Sequence, residues 1–287
     1  MSKLGTDLKT MCMRNKDGSE ATQAARFLTL QQCARQLRAS GYNNIRAPNL
    51  TMKHVMCLLR QWQAAKLSAG TIKNRMAHLR WMAEKVDKPG MIPKDNAELG
   101  IADRQYAGTP NKAQVLDDKR LAGITDPYTK MSLRLQSLFG LRREESIKIV
   151  MAKAAQGNLL YLDGPWCNGG RPRVEPIRTA AQRAGVRDCL AFAGDRALIA
   201  PGKSYIQQRN TYDGQCKAAG LSNMHGLRHQ YAQTRYEELT NWKCPKAGGP
   251  ARDTLKGEDQ ETDRMARLTI SKELGHCRIG IVATYCG

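Results

Sequence analysis

Residues 273–287 read ELGHCRIGIVATYCG, and the reading of that stretch decides the fold. It places Leu274, Gly275 and His276 ahead of Tyr285, with His276 nine positions before the phenol on a short segment. A tyrosine hydroxyl becomes a nucleophile when a neighbouring base takes its proton, so Tyr285 is a candidate nucleophile. Alone, such a tyrosine is more often a packing residue. Its weight depends on what accompanies it elsewhere in the chain.

Working outward, two further stretches accompany it. Residues 139–145 read FGLRREE at the end of an apolar helical run, and residues 224–231 read MHGLRHQY. Guanidiniums suit a phosphate, because each offers two parallel hydrogen bonds and keeps its proton at any working pH. His225 lies three residues before Arg228, which on a helix puts both side chains on one face. An imidazole titrating near neutrality can accept or return the proton of a phenol whose own pKa is roughly 10. His229 points elsewhere by the same spacing and reads as structural.

These motifs, in this order and with this final spacing, make the chain resemble the tyrosine recombinase (phage integrase) family. That family carries G-L-R-x-x-E, H-x-L-R-H and L-G-H motifs and a nucleophilic tyrosine nine residues past the last histidine. The resemblance covers residues 112–287 and implies catalytic roles for Arg142, His225, Arg228, His276 and Tyr285. Arg143 is the alternative to Arg142, and only the family register separates them. Glu145, three residues after Arg142, is expected to orient basic groups from behind. The implied activity is site-specific cleavage and rejoining of DNA through a 3′-phosphotyrosine, with no cofactor, metal or ATP. Two rival readings are a catalytically impaired DNA-binding protein of the same fold and a type IB topoisomerase-like enzyme.

Three departures from the family pattern stand out. The family places a general-acid lysine on a β-hairpin, where this chain has Asn168 in the run CNGGR; Lys153, Lys203 and Arg171 are candidate substitutes. The interval from His225 to His276 is long, and its surplus falls on a polar run over residues 240–263, expected to be an exposed insertion. The sequence stops at Gly287, where relatives often continue into a segment that docks on a neighbouring protomer, so tetramer assembly through such a tail is expected to be weak.

Composition points the same way. The formal charge of +20 and pI of about 9.8 over 287 residues favour a polyanion as partner. A mean hydropathy of -0.55, no long apolar run and no apolar leader argue against a membrane and for a cytoplasmic, nucleoid-associated protein. Nine cysteines without a CxxC pair or zinc spacing suggest free thiols and no structural metal.

The fold class expected is mainly α. An all-α core-binding domain spans residues 1–95, a linker 96–111, and an α+β, mostly helical catalytic domain with a small antiparallel sheet 112–287. Residues 1–20 read as a mobile basic lead-in. Three amphipathic helices follow, the third opening at Ser68 with Lys73, Arg75, His78 and Arg80 on its outer face. Positions 1–95 carry 17 Lys/Arg against 6 Asp/Glu, which makes this unit a candidate clamp on double-stranded DNA. Strands are expected on either side of a Gly-rich bend at 164–170, with Arg171 and Arg173 reaching DNA. The implied assembly is a homotetramer on two paired DNA sites.

Overall fold

The computed structural model describes residues 2–103, 110–167, 169–276 and 278–287, and the chain divides into two compact units, 1–104 and 105–287. The first unit is built from α1 (Lys3–Arg14), α2 (Glu20–Ala39), α3 (Met52–Ala64) and α4 (Ala69–Lys85). Serine or threonine opens each helix: the Ser2, Ser19 and Ser68 hydroxyls accept from backbone N–H groups three residues on, and Thr51 forms a capping box with His54. Leu30, Leu37, Leu58, Leu59, Trp62, Met76 and Leu79 fill the core at helical spacing. Trp62 keeps its one polar atom satisfied, Nε1 donating to Gln36 Oε1 at 3.0 Å.

Two expectations are corrected here. The supposed mobile lead-in is helix α1, which buries Leu4 and Leu8 against α2 and is tied to it by Gln31 Nε2 donating to the Gly5 carbonyl at 2.9 Å. Its apolar residues, Leu4, Leu8, Met11 and Cys12, do fall at helical spacing, but they are interleaved with basic and polar residues that read as a solvated tail. The expected linker over 96–111 is folded onto this unit as far as Ile101, because Leu99 and Ile101 enter the same core together with Ile92.

The second unit contains α5 (Asp118–Ala122), α6 (Pro127–Phe139), α7 (Arg143–Lys148), α8 (Met151–Ala154), β1 (Ala155–Gln156), β2 (Leu159–Leu162) and β3 (Arg173–Pro176). Next come α9 (Ala180–Ala193), α10 (Tyr205–Ala218), α11 (Gly226–Thr240), α12 (Gly257–Glu273) and α13 (Ala283–Cys286). The strands form an antiparallel sheet in the order β1-β2-β3, with Leu162 opposite Arg173. Mainly α with one small antiparallel sheet is therefore the fold.

The 240–263 run is largely exposed, as expected, but it is anchored at a few buried points and is not all loop. Cys244 is fully buried, and α12 already begins at Gly257. Its acidic first turn, Glu258 and Asp259, suits the positive end of the helix. Asp263 is buried where Tyr236 Oη donates to it at 2.6 Å and Arg267 Nε at 2.8 Å. A charged side chain that ends in a buried bond of this kind reads as solvent-facing in sequence.

α11 runs through the middle of the unit, packed against α6, α12 and α13. Its first turn and the C-terminal ends of α6 and α12 therefore meet at one place.

Candidate active site

Gly140 ends α6 in a left-handed conformation (φ +59°), and a Cβ there would stand 2.6 Å from Tyr231 Cδ1 on α11. Only glycine allows that approach. It turns the Gly140 carbonyl toward Arg228, whose Nη1 donates to it at 2.7 Å. From the other side, the Leu274 carbonyl at the end of α12 accepts from Arg228 Nη2. Arg228 is fully buried, held by two helix ends whose carbonyls have no partner within their own helices.

Tyr285, 4% exposed, brings its hydroxyl to the same guanidinium: Arg228 Nε donates to Tyr285 Oη at 3.3 Å. His276 Nε2 lies 3.1 Å from that hydroxyl and 3.4 Å from Arg228 Nη2. Guanidinium nitrogen only donates, so Nε2 is the acceptor and the imidazole proton sits on Nδ1. The Tyr285 O–H then donates to His276. Gln233 Nε2 fixes the segment by donating to the Tyr285 carbonyl at 2.9 Å.

The resemblance implies that His225 exchanges the proton of the phenol while His276 hydrogen-bonds the phosphate, and the geometry alters that division. His276, not His225, touches the phenol; the His225 ring centroid stands 6.2 Å from that of Tyr285. His229, expected to point elsewhere, is the nearest ring of all, 4.7 Å from the Tyr285 ring, 3% exposed, with Nδ1 lacking a hydrogen-bond partner among the described residues. Burial, reinforced chiefly by Arg228 and Arg142, pulls the His225 and His276 pKa values down to about 4, and burial with His225 nearby does the same for His229. All three imidazoles are neutral at pH 7, so His276 is an acceptor where the phenol needs one.

That depression has a measurable consequence. A histidine whose folded pKa lies below 6.5 contributes stability that is full above 6.5 and is lost as pH falls through 6.5 toward 4. For His229, whose pKa falls from the ordinary 6.5 to about 4, the loss between pH 7 and 5 is about 2 kcal/mol. His229→Gln removes this titration. Its melting temperature relative to the parent rises as the pH is lowered from 7 to 5, and a difference that stays flat with pH refutes the depressed pKa.

Behind the arginines lies a carboxylate. Glu145 Oε2 accepts from the Arg142 backbone N–H and Oε1 from Arg142 Nη1, both at 2.7 Å, while Arg228 Nη1 stands 4.0 Å away. Burial alone would raise this carboxyl, but the hydrogen bonds and charge of Arg173, with Arg228 and Arg142, outweigh it and bring the pKa to about 2. Arg142 therefore joins the cluster, whereas Arg143 turns away onto Asp213 at 2.5 Å. A groove of about 650 Å³, lined by Arg143, Tyr212, Asp213, Lys217, Asn223 and His225, opens beside the cluster.

The other candidates have local surroundings of their own. In the first unit Lys73 pairs with Asp103 (2.6 Å), Arg75 lies over Trp62, His78 is half-buried, and Arg80 donates to the Pro93 carbonyl (2.9 Å) and Asn96 Oδ1 (3.1 Å). All four are less exposed than an outer helical face suggests. Arg171 is exposed on the hairpin, and Asn168 falls outside the described residues. Lys203 donates to Thr211 Oγ1 at 3.0 Å. Arg173, expected on DNA, is the clear correction: its side chain is 3% exposed and gives two bonds to Glu145. Two arginines two residues apart on a strand point to the same face, so Arg171 and Arg173 look alike in sequence. A buried carboxylate partner, invisible in the sequence, separates them.

Residues 1–89 match the family described as phage integrase, N-terminal, and residues 100–234 the family described as integrase. No curated protein matches the chain in sequence. Among solved structures, a lambda integrase dimer bound to a COC′ core site is 15% identical with a TM-score of 0.63, over 99% of this chain and 77% of that one. XerH site-specific recombinase bound to palindromic difH substrate, a post-cleavage complex, is 14% identical with a TM-score of 0.60, over 99% and 81%. The Tn1549 transposon integrase with circular intermediate DNA is 12% identical with a TM-score of 0.53, over 100% and 96%.

Proposed function

Because the chain belongs to the phage integrase family of tyrosine recombinases, we propose that it is a site-specific DNA recombinase that cleaves and rejoins strands through Tyr285. The observation that carries this reading is the Tyr285 hydroxyl between Arg228 Nε and His276 Nε2, with Arg142 close by on Glu145. Phosphoryl transfer asks little of a protein beyond a nucleophile, placement, and cations where charge gathers on the phosphate oxygens.

The steps follow from the atoms. A scissile phosphate entering the cluster accepts hydrogen bonds from Arg142 and Arg228, which draws the phenol off its resting bond to Arg228. His276 takes the phenol proton as Tyr285 Oη attacks phosphorus. An O–P bond forms, the bond to the 5′-oxygen breaks, and the strand is held as a 3′-phosphotyrosine. The bond energy is kept, so a different 5′-hydroxyl can reverse the step without ATP. Double-stranded DNA is the substrate, and joining two sites calls for a homotetramer in which each chain supplies one tyrosine. Among the described residues no helix is long and apolar enough to cross a membrane.

The test is a nicked suicide duplex, from which the broken strand end diffuses away and leaves the covalent adduct on a denaturing gel. Purified protein incubated with a library of duplexes from its own genetic neighbourhood gives a retarded band that proteinase removes. If no duplex yields the band while several are bound, the impaired binder replaces this reading. Plasmid relaxation without joining of paired sites indicates the topoisomerase-like enzyme instead.

The leaving 5′-oxygen must also receive a proton, and a neutral amide such as that of Asn168 cannot supply one. Cleavage by this chain is therefore slow. Asn168→Lys speeds single-turnover adduct formation by about 10²-fold, the usual range of one general acid. An unchanged rate shows that another group already does this work.

A further inference from the structure

Arg173 spends its whole donor set inside the protein. Its Nη1 and Nη2 grip Glu145 Oε1 and Oε2 at 2.7 and 2.8 Å, a two-pronged bond. Nε donates to the Glu273 carbonyl at 2.9 Å and to Glu175 Oε1 at 3.0 Å, and Nη1 reaches Cys167 Sγ at 3.5 Å. The Arg173 chain also lies directly beneath Gly275, where a Cβ would come within 2.8 Å of Arg173 Cδ. Gly275 adopts φ +66° and immediately precedes His276.

One buried side chain thus joins three separate parts of the site. Through Glu145 it reaches Arg142, whose backbone and side chain are both bound to that carboxylate. Through the Glu273 carbonyl and the floor under Gly275 it reaches the turn that presents His276 to the phenol. From Cys167 it touches the hairpin that carries β2 and β3. We propose that Arg173 is a positioning residue of the cleavage reaction, a buried guanidinium that sets Arg142 and His276 at their working separation without itself touching DNA. No lysine can do this, since an ammonium cannot hold both carboxylate oxygens and a carbonyl in one plane.

Glu175 supports the arrangement. It is fully buried with Oε2 unpartnered among the described residues, and burial, against the pull of Arg173 and Arg228, raises its pKa to about 7. Glu175 Oε1 also stands 2.9 Å from Arg173 Nη2, so two buried carboxylates share the guanidinium, and the one that takes the two-pronged bond also holds Arg142.

The kinetic arm of the test rests on the recombinase reading; the spectroscopic arm does not. Arg173→Lys is compared with the parent for duplex binding, melting temperature, single-turnover adduct formation and histidine side-chain NMR. Duplex affinity stays within threefold, adduct formation falls at least 30-fold, and the His276 resonances move while those of His54 and His78 in the first unit do not. Glu145→Gln, Arg173→Lys is no slower than the slower single variant, because both act through one carboxylate. Should Arg173→Lys fail to fold, Arg173→Met, Glu175→Gln, which buries no unpaired charge in place of Arg173 and Glu175, takes its place with the same expected results.

An unchanged adduct rate overturns the proposal. So does a loss of affinity that matches the loss of rate, which puts Arg173 on the DNA. A parent protein that forms no adduct, but whose His276 resonances move in Arg173→Lys, upholds the positioning role and removes the recombinase reading instead.

Discussion

Tyr285→Phe forms no covalent adduct on a nicked suicide duplex, a loss of at least about 10⁴-fold, while binding the same duplex within threefold of the parent. The reason is local: the substitution deletes one oxygen and leaves the ring among Ile270, Leu274 and Val282. The deleted hydroxyl also partners Arg228 Nε and His276 Nε2, so the variant loses stability of about 1–2 kcal/mol for the buried donor left behind. A single-turnover gel assay and a melting curve check the two halves separately. Persisting adduct in Tyr285→Phe assigns the nucleophile to another residue and ends the mechanism proposed here.

Arg228→Lys has the next largest effect. Arg228 gives bonds to the Gly140 and Leu274 carbonyls and to Tyr285, with a fourth contact to His276. An ammonium has three donors around a single point and cannot span both helix ends together with the phenol. Adduct formation falls by about 10³-fold, at the upper end for removing one preorganised donor to a developing charge. Stability falls by about 1–3 kcal/mol for each buried carbonyl left without a partner. The rate is measured below the variant's melting transition. A rate there within tenfold of the parent takes Arg228 out of the chemistry and leaves it as a structural bolt between α6 and α12.

Much of this site was legible from four short motifs, because each motif residue sits at a helix end where position along the chain nearly fixes position in space. Arg142 caps α7, His225 caps α11, and His276 follows the last turn of α12. Partners that come from sheet pairing and burial were not legible. Arg173 reads as a surface arginine beside Arg171 until the partner that accepts it, Glu145 on a different element, is known. His229 was missed for a related reason, since helical spacing fixes a residue's direction on its own helix but not the arrival of Tyr285 from the C-terminal segment. In the fold, α1 was overlooked because its basic and polar residues mask the apolar stripe of Leu4, Leu8, Met11 and Cys12, and the start of α12 because its stabilising groups are charged.

Tyr285 and Cys286 belong to the same apolar cluster as Tyr236, Cys244, Ala266 and Ile270. The proposed nucleophile is thus also a piece of the interior. Any substitution that tightens this interior deepens the well in which the phenol rests, and the proposed attack on a phosphate must lift it out. Efforts to make the protein last longer on heating, if directed at this cluster, are accordingly bought with slower turnover; robustness is better sought in the four-helix unit, far along the chain from the phenol.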